Sequence, residues 1–225
     1  MPRRTLPLLL FLLAAAPVAA DTLLTIKSQV QGLTMAGSPD GEIRIWVAGD
    51  KLRRDDGDAA STILRLDRNK LYLVNHQDKT YSELSLPLDL QKLGASQDVL
   101  KTVVQVKPSN ETKKIRSWNA RRVEVDVSNA AGLKLDGTLW VSKDIEAYAA
   151  LNRMAVSMAA LQPGGANLAR QLEQIGGFPV VQETDVEMNG SRFKTREELV
   201  SVETKAAPAG LYEPPAGYTK EAAPL

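Results

Sequence analysis

From residue 21 onward, apolar and polar positions alternate over short stretches separated by turn residues, the pattern of half-buried antiparallel strands. Ile43, Ile45 and Val47 fall on one face and Glu42, Arg44 and Trp46 on the other. Gly49-Asp50 then turns the chain into Lys51 to Asp55. After a second turn at Asp56-Gly57-Asp58, Ser61 to Leu66 and Lys70 to His76 read as two further strands joined at Asp67-Arg68-Asn69. Gln77-Asp78-Lys79 leads into Thr80 to Leu84. Between Pro87 and Val104 the alternation stops, and Leu88, Leu90, Leu93, Val99 and Leu100 suit a short helix or a packed loop broken at Gly94. It resumes with Val123, Val125 and Val127. Past an Asn129 to Gly132 turn it continues with Leu133, Leu135, Leu139 and Val141, so the two segments form a hairpin pattern.

The period changes at Ser142. Ile145, Tyr148, Leu151, Met154, Met158 and Leu161 recur at three- and four-residue spacing in an alanine-rich stretch with Asp144 near its start, which predicts an amphipathic helix. Pro163-Gly164-Gly165 ends it. Asn167 is then placed to cap a second helix bearing Leu168, Leu172 and Ile175, closed by Gly176-Gly177. Strand patterning returns at Phe178 to Met188, and Asn189-Gly190 is a hairpin dipeptide leading into Arg192 to Thr204. The tail from Ala206 carries four prolines and reads as extended, able to run across a surface.

The first twenty residues stand apart from this pattern. A basic start at Arg3 and Arg4, an apolar run from Leu6 to Ala16 and small residues at Val18, Ala19 and Ala20 follow the order of a secretory signal peptide cleaved after Ala20. The run is shorter than the ~20 residues that cross a bilayer, so no transmembrane segment is expected after cleavage. The predicted organisation is a signal peptide (1–20), one domain (21–205) with a helical insert (143–176), and a proline-rich tail (206–225), in the periplasm. Of the 28 basic and 27 acidic residues, only Arg3 and Arg4 lie in the leader, so the mature chain is nearly neutral and is not expected to bind nucleic acid. The absence of cysteine excludes disulfides and thiolate metal sites, leaving stability to a hydrophobic core.

Candidate chemistry is sparse. His76 is the single histidine, which excludes a multi-histidine metal site, and beside a predicted turn it reads as a solvated or capping side chain. Asp55, Asp56 and Asp58 lack calcium-loop spacing and read as a polar turn. Lys113, Lys114, Arg116, Arg121 and Arg122 cluster around Trp118. That group suits either phosphate headgroups or a solvated strand edge protected by lysine, and the edge is the better reading.

Several segments resemble an uncharacterised exported bacterial family. They are Ile45-Trp46-Val47 running through Gly49-Asp50-Lys51 to Arg53-Arg54-Asp55, then Ile63 to Asp67, and Lys79-Thr80-Tyr81 after Tyr72. Thr112 to Ile115 with Ala120-Arg121-Arg122, Gly177-Phe178-Pro179-Val180 and Tyr212 to Tyr218 follow in the same order. Arg116-Ser117-Trp118 departs from the pattern, where that family more often has a glycine and a tyrosine. The family looks similar in fold to the periplasmic lipoprotein carriers LolA and LolB. The resemblance implies an α+β fold: a strongly curved antiparallel β-sheet, a half-barrel, with the helical insert covering its concave face and an apolar cavity between them.

The resulting expectation is a non-enzymatic binder or carrier, without a cofactor, for a lipid, fatty acid or lipoprotein acyl chain or another apolar ligand. Tyr148, Leu151, Met154, Met158 and Leu161 are the expected cavity lining. The alternative is a module with a filled core that binds another envelope protein through a sheet edge or the tail.

Overall fold

The computed structural model describes residues 20–32, 41–89, 101–159, 164–188 and 190–222. Twelve strands form one open, curved sheet: β1 (Asp21–Gln31), β2 (Gly41–Ala48), β3 (Lys51–Asp56), β4 (Ala60–Arg65), β5 (Lys70–Asn75), β6 (Thr80–Ser85), β7 (Val103–Ile115), β8 (Trp118–Ser128), β9 (Lys134–Ser142), β10 (Phe178–Met188), β11 (Ser191–Lys205) and β12 (Thr219–Glu221). Two helices, α1 (Tyr148–Ala159) and α2 (Gly165–Ile175), lie between β9 and β10, so the protein is mostly β within an α+β architecture. The spatial order is β12-β6-β5-β4-β3-β2-β1-β11-β10-β9-β8-β7, antiparallel except for the parallel β12–β6 pair. The first strand therefore sits in mid-sheet, where it joins the β2–β6 meander to the β7–β11 half.

Cross-strand partners share a face of a sheet, so the register sorts the side chains. Leu24 pairs with Ile45 and Ile26 with Ile43, Val47 pairs with Leu52, and Leu52 pairs with Leu64 in turn. All of them are buried in the main core, together with Leu151 and Met154 of α1. A second cluster sets Val123, Val125, Val127 and Leu139 against Leu168, Leu172 and Ile175 of α2. These clusters form the inner face, covered by the helical insert as a half-buried sheet requires.

The outer face has a cover of its own. Tyr212 and Tyr218 of the tail pack on Ile63, Tyr72 and Val74, and β12 pairs with β6 at the sheet edge. The Arg65 side chain, 5% exposed, lies under this strap. It makes a two-bond pair with Asp67 at 2.8 Å for each bond and reaches Glu213 and the Tyr212 carbonyl. The tail bends through turns closed by the backbone bonds of Leu211 to Pro208, Glu213 to Gly210 and Tyr218 to Pro215, and then adds a strand. Trp46 is buried, although the alternation places it with the polar residues Glu42 and Arg44, and Lys205 lies over its ring.

Three local expectations are corrected. The helix does not begin near Ser142 with Asp144 as its cap. Strand β9 runs to Ser142, α1 starts at Tyr148, and the Asp144 carboxylate accepts from the backbone and side-chain amides of Asn119 at 2.7 and 3.1 Å. Asn167 does not cap the second helix. Gly164 does so with φ +71°, a left-handed turn that glycine enters without a Cβ penalty, and Asn167 instead accepts from Gln171 within the first turn. Val103–Ile115 is a strand, of which the sequence pattern indicated only the lysine-bearing edge at Lys113 and Lys114; most of the expected helix or loop between Pro87 and Val104 lies outside the described residues.

Candidate functional site

Between the inner face and the helices lies a cavity of about 580 Å³, within the ~300–1,000 Å³ typical of small-molecule sites. Strands β1 and β2 supply Ile26, Val30, Ile43 and Ile45, and the insert supplies Leu151, Ala155, Leu168 and Leu172. Alternation places the strand residues inward, and the three- to four-residue spacing turns the helical ones toward them. Gly177 lines the junction between insert and β10. At φ +100°, a Cβ there would stand 2.6 Å from the Ser142 carbonyl oxygen.

The wall is not uniformly apolar. Arg54 and Asp56 of β3 and Glu197 of β11 are its charged members, joined by Ser28, Thr62 and Gln182. Arg54 Nε donates to Asp56 at 2.8 Å and Nη2 donates to Glu197 at 3.4 Å. Strands β3 and β11 are separated by β2 and β1, so their backbones lie about 14 Å apart along the sheet. A direct side-chain contact across that span requires a long arginine and a sheet that curls toward itself. Burial works to lower the Arg54 pKa, but the charges of Glu197 and Asp56 outweigh it and raise the value above the ordinary one for arginine, so the guanidinium stays charged.

Of the expected lining residues, Leu151 borders the cavity. Met154, 1% exposed, is packed into the main core and does not border it, although it stands only three residues from Leu151 on the same helix. Tyr148 is half-buried against the same cluster. Met158 belongs to α1 but its side chain, like all of Leu161, lies outside the described residues. Arg54, Asp56 and Glu197 were missed. Their signal is parity: Arg54 and Asp56 share a strand face with Leu52, and Glu197 lies two residues from Leu199, so each is a charge at an inward position.

His76 is tied into a different network on the outer face. Ser61 Oγ donates to Asp55 at 2.6 Å and accepts from Arg53 Nη2 at 2.9 Å, with His76 Nε2 at 2.6 Å. Since the single hydroxyl proton goes to Asp55, Nε2 carries the imidazole proton and donates to Ser61, and Nδ1 accepts from Tyr218 at 2.9 Å. In this tautomer the ring is no base toward Ser61. It links the tail to the sheet, a role beyond the solvated or capping histidine expected from the sequence.

The basic cluster lies on β7 and β8 at the sheet edge. Lys113 sits 3.6 Å over the Trp140 ring, Arg116 pairs with Glu198 at 2.9 Å, and Arg122 pairs with Glu111 and Glu124. These pairings match a solvated strand edge. The acidic turn is similarly engaged: Asp55 pairs with Arg53 and Asp56 with Arg54, and among the described residues no group of three metal-ligating side chains occurs.

Residues 41–218 match the family described as Domain of unknown function (DUF4412). The chain belongs to the DUF4412 family. Its match covers the β2–β6 meander, the insert and most of the tail, so Tyr212 and Tyr218 of the strap fall within the family's extent and β12 lies just beyond it. An "Uncharacterized protein" of Aquifex aeolicus (strain VF5) is 30% identical over an alignment of 173 residues that covers 67% of this chain and 63% of that protein. A solved structure of PNGF-II covers 91% of this chain and 31% of that chain at a TM-score of 0.45 and 16% identity, a likeness that carries no argument. Among the described residues, no helix is long and apolar enough to cross a membrane.

Proposed function

We propose that this DUF4412 protein is an exported, non-enzymatic carrier that holds an acyl chain or a similar apolar body between its sheet and its helical insert. In this reading the sheet is a half-barrel of the LolA/LolB kind and the chain works in the periplasm. The observation that carries the proposal is the cavity itself: about 580 Å³, walled by aliphatic side chains from both layers. A filled core would favour the alternative of an envelope interaction module, and the open space beneath α1 and α2 favours the carrier.

The test is a ladder of neutral probes, decanol, dodecanol and tetradecanol, measured by calorimetry alongside native mass spectrometry of the gently purified protein. Each methylene buried is worth about 0.8 kcal/mol, so each two-carbon step should change affinity roughly fifteenfold. Absence of binding, or affinity that does not depend on chain length, would remove the carrier reading.

A further inference from the structure

The polar part of the cavity wall has a sign and a position. Two carboxylates, Asp56 and Glu197, face a single guanidinium, Arg54, and these are the charged residues of the described lining, so the wall carries a net negative charge. Their side chains are 20%, 26% and 30% exposed, open to the cavity rather than sealed in the core. Asp56 is the last residue of β3 and pairs with Ile43, beside Gly41 where β2 begins, so this patch lies toward one end of the sheet. The residues toward the other end, Val47, Leu52 and Leu64, are apolar and buried.

A bare ion triad at this place is a poor stabilising device, because desolvating charges costs more than apolar packing of similar volume. Each carboxylate gives one oxygen to Arg54, and a carboxylate has more acceptor capacity than that bond fills. Arg54 is already neutralised by its two partners and offers little to an incoming anion. The surplus is therefore of acceptors, and Ser28, Thr62 and Gln182 border the same space.

We infer that the cavity selects an amphiphile whose head donates hydrogen bonds, an amine, hydroxyl or amide, and discriminates against a free carboxylate. The head sits at Asp56 and Glu197 and the apolar body lies along Ile43, Ile45 and Leu199 beneath the helices. This inference rests on the carrier reading and narrows it.

The experiment uses three probes with one chain, dodecylamine, dodecanol and dodecanoate, each below its micellar concentration at neutral pH, titrated calorimetrically into the full mature protein. Like charges brought together in a site are strongly disfavoured, so the amine and the alcohol should each bind at least about tenfold more tightly than the carboxylate. Asp56→Asn with Glu197→Gln should erase most of that gap by improving dodecanoate. Glu197→Gln alone, which keeps the Asp56–Arg54 pair and so guards against misfolding of the double variant, should give an intermediate gap. Ala155→Trp, at an exposed position on the cavity wall, should abolish binding of all three. Equal binding of the probes, tightest binding of dodecanoate, or amine binding that survives Ala155→Trp would overturn the head preference while leaving the carrier open. Failure of all three probes would remove the carrier reading and the inference with it.

Discussion

Met154 and Leu151 stand three residues apart on α1 and have different surroundings: Met154 is enclosed by the core, whereas Leu151 has the cavity on one side. Large-to-small changes in cores cost about 2–5 kcal/mol, more where a new void opens and less where space already exists. Met154→Ala should therefore fall near the top of that range and Leu151→Ala near the bottom, as read by urea unfolding; equal losses would contradict the placement of the cavity. His76 yields a second residue-scale prediction. Its pKa is held below the ordinary 6.5, first by burial and then by the positive charge of Arg53. With the folded value below the unfolded one, the unfolded chain binds more protons in that window. The contribution is fully present above the unfolded value and is lost as the pH falls below it toward the folded value. The melting temperature should thus fall between about pH 7 and pH 5, and His76→Gln should fall less steeply than the wild type. Parallel profiles for the two proteins would show that His76 does not contribute.

At the scale of elements, the insert depends on how tightly it joins the sheet. Gly177 at φ +100° has the Ser142 carbonyl oxygen 2.6 Å from where a Cβ would stand, while Gly190 at φ +78° has nothing within 4 Å. Both positions resist a side chain on backbone grounds, at about 1–3 kcal/mol each. Gly177→Ala adds a collision with fixed backbone. It should destabilise clearly more than Gly190→Ala, and because Gly177 lines the cavity it should also alter probe binding. Similar melting temperatures for the two variants would argue against the close approach. The two sheet edges are also treated differently. β6 is paired by β12, whereas β7 is left as an edge bearing Lys107, Pro108, Lys113 and Lys114, residues that discourage further strand pairing.

For the whole molecule, the first strand and the tail meet. Tyr212 donates its hydroxyl proton to the Asp21 carboxylate at 3.1 Å, and burial beside that carboxylate raises the tyrosine pKa well above its ordinary value. Cleavage after Ala20 would leave Asp21 as the first residue, already engaged in β1 and held by the tail. Intact mass of the protein isolated from the envelope should correspond to a chain starting at Asp21 with no attached lipid; a retained Met1 or an acyl group would contradict export by the route proposed.

The strands from β2 to β6, the β8–β9 and β10–β11 hairpins and both helices were legible in the sequence, because period-two and helical patterns are local and one-sided burial imposes them. Strand β7 was legible only as a lysine-bearing edge at Lys113 and Lys114: an edge strand that is largely exposed, with Pro108 beside an irregular register, has no inward row long enough to alternate. β12 escaped for a similar reason, since its three exposed residues are a strand only because β6 lies beside them. The helix stripe identified Leu151 as a wall residue but could not separate it from Met154, because spacing tells which residues share a stripe and not whether the opposite layer is in contact with it. Parity puts the charges of the wall at inward positions, but their meeting was decided by tertiary structure. Arg54, Asp56 and Glu197 come from strands that curvature brings together across two intervening strands, and nothing local in the chain encodes that approach.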